Sequence, residues 1–195
     1  MGRIVVSENI SLDGVIQDPT GDEGFAFGGW FQRMSDDDRS AWSEVEFQEA
    51  LDTQAWLIGR GTYTWFSTRW ADRPGEWADR LRVVPKYVVS STMDEATGWS
   101  NATVLKGDVV EEVTALKDRV AGDIVVYSSP RLVRTLLEHD LVDEVRLMTY
   151  PYVLGAGERL FGEAAETTAL RRVAVRPVGE SIVLLTYAPV SRRAA

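Results

Sequence analysis

A chain of 195 residues, 45% of them hydrophobic, can bury a sizeable core in one domain, expected here over residues 1–195. Its formal net charge of -9 offers no basic face for nucleic acid or an anionic membrane surface. With no cysteine and one histidine there is no disulfide framework, no thiolate metal site and no thiol nucleophile, and no apolar run reaches membrane-spanning length; a cytoplasmic protein acting on a small molecule is expected.

In chain order, Ile4 to Ile10 is strand-like, with a polar break at Ser7-Glu8-Asn9, and gives way to Ser11-Leu12-Asp13-Gly14. Pro19, Gly21, Gly24, Gly28 and Gly29 then mark a long loop of the kind that usually carries function. Asp36-Asp37-Asp38 opens a helix whose dipole favours acids in its first turn, with Trp42, Val45, Phe47 and Leu51 as its apolar positions. Ala55 to Ile58 is a second, buried strand, ending in Gly59-Arg60-Gly61-Thr62-Tyr63, and Thr62 to Phe66 forms a short helix. A loop containing Trp70, Pro74, Gly75 and Trp77 leads to a third strand, Lys86 to Val89, which exits through Ser90-Ser91-Thr92.

The second half repeats the alternation. Thr103 to Leu105 is a brief strand, and Val109, Val113, Leu116, Lys117 and Val120 space out a helix. Gly122 precedes the β-branched strand Asp123 to Tyr127, which breaks at Ser128-Ser129-Pro130. From Pro130 the period is helical, with Leu132, Val133, Leu136 and Leu137 on one face; Ser129 is the expected N-cap and Pro130 the first helical residue. A strand feeding a helix leaves free N–H groups and the positive end of a helix dipole at the strand's carboxyl end, which suits phosphate. Val142 to Tyr150 is a further strand, Leu154-Gly155-Ala156-Gly157 a loop, and Leu170 to Val178 and Ser181 to Pro189 a closing hairpin joined at Gly179-Glu180. Strands alternating with helices predict a three-layer α/β/α sandwich on a mixed, mostly parallel sheet with an antiparallel C-terminal hairpin.

Three strands therefore end in Gly59-Arg60-Gly61-Thr62, Ser90-Ser91-Thr92 and Ser128-Ser129-Pro130, and parallel strands joined by right-handed crossovers bring such ends to one edge. Each turn has a bland reading as a simple strand exit; together, in register with the alternation, they indicate a nucleotide.

Ser11-Leu12-Asp13-Gly14, Leu57-Ile58-Gly59-Arg60-Gly61-Thr62-Tyr63, Lys86-Tyr87-Val88-Val89-Ser90-Ser91-Thr92, Leu141-Val142-Asp143-Glu144-Val145-Arg146-Leu147 and Pro151 to Phe161 span nearly the whole chain. In that order and spacing they resemble the reductase domain at the carboxyl end of the bacterial bifunctional deaminase–reductase of riboflavin synthesis, which has the dihydrofolate reductase fold. The resemblance implies NADPH as hydride donor, a homodimer, and an activity like 5-amino-6-(5-phosphoribosylamino)uracil reductase. The zinc signature of a deaminase half is absent from the sequence.

By the same resemblance, Gly59, Arg60 and Thr62 match the turn that holds the cofactor phosphates, and Ser90 and Ser91 the turn near the adenosine 2′-phosphate. Ser128, Ser129 and Arg131 occupy the place of the glycine-rich turn under the pyrophosphate, where this chain carries Ser-Ser-Pro instead. Asp13 matches the family's Ser-Leu-Asp-Gly and would sit beside the nicotinamide; its Asp-Gly pair also reads as a plain turn. In dihydrofolate reductase the acid lies on the helix before this turn, where Glu44 and Glu46 are available, and Glu46 is the candidate proton donor; a solvated helix face is the alternative. Among the seven tryptophans some can stack a heterocycle, while Trp56 fits the core and His139 the end of a helix. Two other readings stay open: a nucleotide-binding protein of this fold without hydride transfer, favoured by Ser128-Ser129-Pro130, and a pterin or dihydrofolate reductase.

Overall fold

The computed structural model describes residues 1–162 and 167–190; positions 163–166 and 191–195 of the expected 1–195 domain lie outside the described residues. The strands are β1 (Gly2–Ser11), β2 (Ala55–Gly59), β3 (Lys86–Val89), β4 (Ala102–Leu105), β5 (Gly122–Tyr127), β6 (Glu144–Tyr150), β7 (Leu170–Val178) and β8 (Ile182–Pro189). They form one eight-stranded sheet in the order β4-β3-β2-β5-β1-β6-β8-β7. From β4 to β6 all neighbours are parallel, and β8 runs antiparallel to both β6 and β7. The helices are α1 (Asp36–Asp52), α2 (Arg60–Trp70), α3 (Glu76–Val83), α4 (Val109–Arg119) and α5 (Pro130–Glu138).

The central strands are continuous apolar runs because both faces are covered. Ile4, Val6, Ala55, Leu57, Ile124 and Val126 pack against Val113 and Leu116 of α4 and Val133 and Leu136 of α5. The alternate residues Val5, Trp56, Ile58 and Val125 meet Tyr63 of α2 and Leu81 of α3 on the other face. A third cluster, built on Trp30, Met148 and Tyr150, seats α1 and the long loop against β6 and β8. This is the expected three-layer sandwich, hairpin included.

Three local expectations are corrected. The helix expected over Thr62 to Phe66 is longer, starting at Arg60 and running to Trp70, since Tyr63 and Ser67 give it a buried face one turn apart. The Trp70–Trp77 loop gives way to α3, a helix of eight residues too short to show a clear period; its Ala78 and Leu81 are buried, and Arg80 donates to Ala50 O, Leu51 O and Thr53 O. Ser129 precedes α5 but makes no side-chain cap; it has φ 61° and turns its hydroxyl toward β2.

Asp38 lies in the acidic first turn that its run suggests and has a second role there. It is buried, and its carboxylate accepts from the N–H groups of Glu180 and Ser181, at 2.7 and 3.0 Å, and from the Ser181 hydroxyl. The β7–β8 turn is thereby fastened to the first turn of α1. Gly179 within it has φ 63°, and a Cβ there would lie 2.7 Å from Asp38 Cα. Gly179→Ala should therefore cost about 1–3 kcal/mol, read as a lowered urea midpoint with unchanged slope.

Candidate functional site

The β2→α2 and β5→α5 turns meet at the carboxyl edge of the sheet, and one side chain joins them. Ser129 Oγ accepts from Gly59 N–H at 2.9 Å, lies 2.8 Å from Thr62 Oγ1, and donates to Tyr127 O at 3.1 Å. Ser128 and Ser129 both adopt the left-handed region, φ 48° and 61°, which glycine occupies without strain. Two serines thus hold the backbone shape expected of a glycine-rich turn. Arg60 and Arg131, each in the first turn of its helix, are exposed. A Cβ on Gly59 would stand 3.5 Å from Ser129 Oγ, so the two turns are already in contact distance.

These turns form one end of a cavity of about 1260 Å³. It is lined as well by α1, the long loop and the rings of Trp42, Trp56, Trp65, Trp70 and Trp77. Of the acids that line it, Glu8 and Glu46 come from the neighbouring elements β1 and α1. Glu8 on β1 is buried; its Oε1 accepts from Asn9 N–H at 3.2 Å, while Oε2 has no hydrogen-bond partner. Glu46 on α1 accepts from Asn9 Nδ2 at 3.4 Å, and Asn9 Oδ1 in turn accepts from Trp42 Nε1 at 3.0 Å and the Tyr150 hydroxyl at 2.9 Å. Burial pushes Glu8 up to about 8, against the Asn9 and Ser128 N–H groups that favour its charged form and with the charge of Glu46 adding to the rise. Burial and the charge of Glu49 likewise push Glu46 up to about 8.

Glu49, one turn along α1, accepts from the Tyr127 hydroxyl at 2.7 Å and pairs with Arg146 at 3.0 Å. Arg146 also binds Asp123 and Glu144, so its charge is shared among three acids and none of it is left for Glu8 or Glu46.

The structure gathers Gly59, Arg60, Thr62, Ser128, Ser129, Arg131 and Glu46 around this cavity, and Glu44, the other acid weighed on α1, is exposed. Ser90 and Ser91 follow β3, beside β2, but do not line it: Ser90 Oγ accepts from the N–H groups of Thr92 and Met93, and Ser91 is exposed. Asp13 is also outside the lining. Its carboxylate accepts from the Ser11 hydroxyl at 2.7 Å, Gly155 N–H at 2.8 Å and Leu154 N–H at 3.1 Å, and those bonds, the Ser11 hydroxyl foremost, hold it down at about 2. Glu8, Asn9 and Asp18 were missed by sequence reasoning. The signal for the first two was the polar break inside an otherwise apolar strand. Asp18, buried with φ 47°, accepts from the N–H groups of Glu23 and Phe25 and organises the long loop.

The raised acids fix the sign of a pH effect. Between the ordinary carboxylate value near 4.5 and about 8, the folded chain binds more protons than the unfolded one, so stability present at low pH is lost as pH rises through that window. Urea midpoints should fall from pH 5 to pH 8.5, and Glu46→Gln should flatten the fall and be the more stable protein at pH 8.5. A midpoint that rises over this range in the wild type would contradict the burial of the pair.

Comparison with known proteins agrees with this geometry. The Bacillus subtilis (strain 168) protein YyaP is 27% identical over 190 residues, covering 95% of this chain and 94% of its own. Among solved structures, a putative riboflavin biosynthesis protein from Shewanella sp. PV-4 superposes with TM-score 0.76 at 22% identity, over 97% of this chain and 99% of that one. Enterococcus faecalis dihydrofolate reductase, complexed with NADP(H), superposes with TM-score 0.57 at 17% identity over 97% of each chain, a likeness of fold. Residues 3–184, from the start of β1 into β8 and so including every turn and acid of the cavity, match the model of one family: the chain belongs to the RibD C-terminal domain family.

Proposed function

We propose that the chain is an NADPH-dependent reductase of a small heterocyclic substrate, with the nucleotide at the Gly59–Thr62 and Ser128–Arg131 turns and Glu46 as the acid. The observation that carries this reading is the left-handed Ser128–Ser129 pair, tied to Gly59 and Thr62 and opening into the same cavity as two protonatable carboxyl groups. Left-handed serines are strained, and such strain is kept where the surrounding structure needs the backbone shape. Here the shape points free N–H groups and two helix N-termini at one spot, with Arg60 and Arg131 beside it. Pro130, at the head of α5, withholds one N–H donor. Ser90 and Ser91 are left with the outer, adenosine side, and Asp13 with shaping the loop that borders the cavity.

The bound cofactor would supply the hydride. The chain's own part is to stack a flat ring among Trp42, Trp65, Trp70 and Trp77, to exclude water with the 12–35 loop, and to hold a proton on Glu46. An acid pushed up to about 8 stays protonated at neutral pH and is suited to donating to a ring nitrogen or a carbonyl oxygen that gains charge on reduction. A homodimer fits the same reading: Val173 and Val175 on the edge strand β7 are half exposed in a short span, and an apolar edge of this kind is covered best by a second copy. Light scattering at micromolar concentration should give twice the chain mass.

Two measurements test the assignment. Arg60→Ala should weaken NADPH by about 1.5–3 kcal/mol, the size of a charged hydrogen bond, with much less effect on NADH and almost none on the thermal midpoint of the free protein. Calorimetric titration decides it; absence of NADPH binding by the wild type would favour a member of the fold without hydride transfer. Glu46→Gln should lower kcat by about 100-fold or more while NADPH affinity stays unchanged, in a steady-state assay of NADPH oxidation.

A further inference from the structure

Among the described residues, four buried side-chain polar atoms have no hydrogen-bond partner: Glu8 Oε2, Thr20 Oγ1, Trp65 Nε1 and Trp99 Nε1. Three of the four belong to residues that line the same cavity, Glu8 beside the Ser128 N–H, Thr20 on the long loop and Trp65 on α2. A buried polar group without a partner costs about 1–3 kcal/mol, so the coincidence of three in one cavity marks the place where a ligand completes the bonding. Their chemistry is specific: a carboxyl oxygen, a hydroxyl, and an indole N–H that can only donate.

The charges restrict the ligand further. The cations among the cavity's lining residues are Arg60 and Arg131, both at the nucleotide turns; the remaining charged lining residues, Glu8, Asp18, Glu23, Glu46, Glu76 and Glu158, are all acids. Arg69, the next cation along the α2 wall, lies over the Trp65 ring at 4.5 Å and pairs with Asp22 at 3.8 Å. With Arg60 and Arg131 taken by the nucleotide, a second phosphate in the cavity would be desolvated beside carboxyl groups with no lining cation left to receive it, a cost that hydrogen bonds from one hydroxyl and one indole cannot offset.

We propose that the substrate end of this cavity takes a neutral or cationic nitrogen heterocycle without a phosphate, which gives N–H hydrogens to Glu8 and Glu46 and accepts one from Trp65 Nε1. The proposal rests on the reductase reading, which places the nucleotide at the other end, and it separates this chain from a reductase of the phosphorylated uracil that its family resemblance implies. Glu8 is its distinguishing residue: it comes from the central strand, it lines the cavity with one carboxyl oxygen unpartnered, and Asn9 beside it bonds to Glu46.

The test uses the full chain and two compounds that differ by one group, 5-amino-6-(ribosylamino)uracil and its 5′-phosphate, titrated with tryptophan fluorescence as the readout. The unphosphorylated compound should bind the more tightly, by about tenfold. Glu8→Gln and Trp65→Phe should each weaken it by about tenfold while leaving NADPH affinity within about twofold; two variants at separate elements guard against one that misfolds. Equal or tighter binding of the phosphate ester overturns the proposal, as does binding of neither compound, or unchanged affinity in both variants. NADPH is titrated separately, so a chain that binds the uracil but not NADPH would fail the reductase reading and leave this one standing.

Discussion

The Ser129 hydroxyl is the interaction on which the upper edge of the sheet depends. It bonds to the backbone or side chain of three residues from two crossovers, Gly59, Thr62 and Tyr127, and so sets the spacing of the two helix N-termini. A glycine at this position would adopt the same φ without strain but would leave Gly59 N–H without that acceptor. The serine therefore trades local backbone strain for a cross-link between turns, and the positive φ follows from the cross-link. Right-handed crossovers bring the turns to the same edge; the hydroxyl fixes their distance.

Beneath the cavity the chain keeps its charges in two separate groups. Arg146 collects Glu49, Asp123 and Glu144, and Arg3 closes the rim by pairing with Asp123 and Glu144. Glu8 and Glu46, only one strand position and one helical turn away from that network, are left with neutral partners, Asn9 foremost. The separation leaves burial to raise both carboxyls: had Arg146 reached Glu46, the pairing would have opposed that rise.

Much of the frame was legible because it rests on local rules. Apolar runs of four to six residues between turn signals gave β1, β2 and β5, and the Leu132, Val133, Leu136, Leu137 spacing gave α5, whose inward face holds these residues buried. What escaped depends on contacts distant in sequence. Helix α3 is held by Arg80 on the end of α1, some thirty residues earlier, which no local pattern reports. Glu44 and Glu46 are two residues apart in one acidic stretch, and only the docking of α1 on Asn9 and Tyr150 decides which is exposed and which faces the cavity. Asp13 stood out through its motif, yet its partners Leu154 and Gly155 lie 141 and 142 residues away, and they turn its carboxylate toward a loop fastening. Glu8 carried a visible sign, a charge inside an apolar strand, whose meaning required the cavity above it.

The fastening of Asp38 to the β7–β8 turn has a mechanical consequence. Helix α1 is anchored at its first turn by that bond, near its last turn by Glu49 on Arg146 and Tyr127, and at its carboxyl end by Arg80. A rod clamped at both ends cannot swing, so the acid it carries keeps a fixed height above the sheet. The 12–35 loop beside it is organised instead around buried Asp18, with Gly21, Gly24 and Gly29 at positive φ.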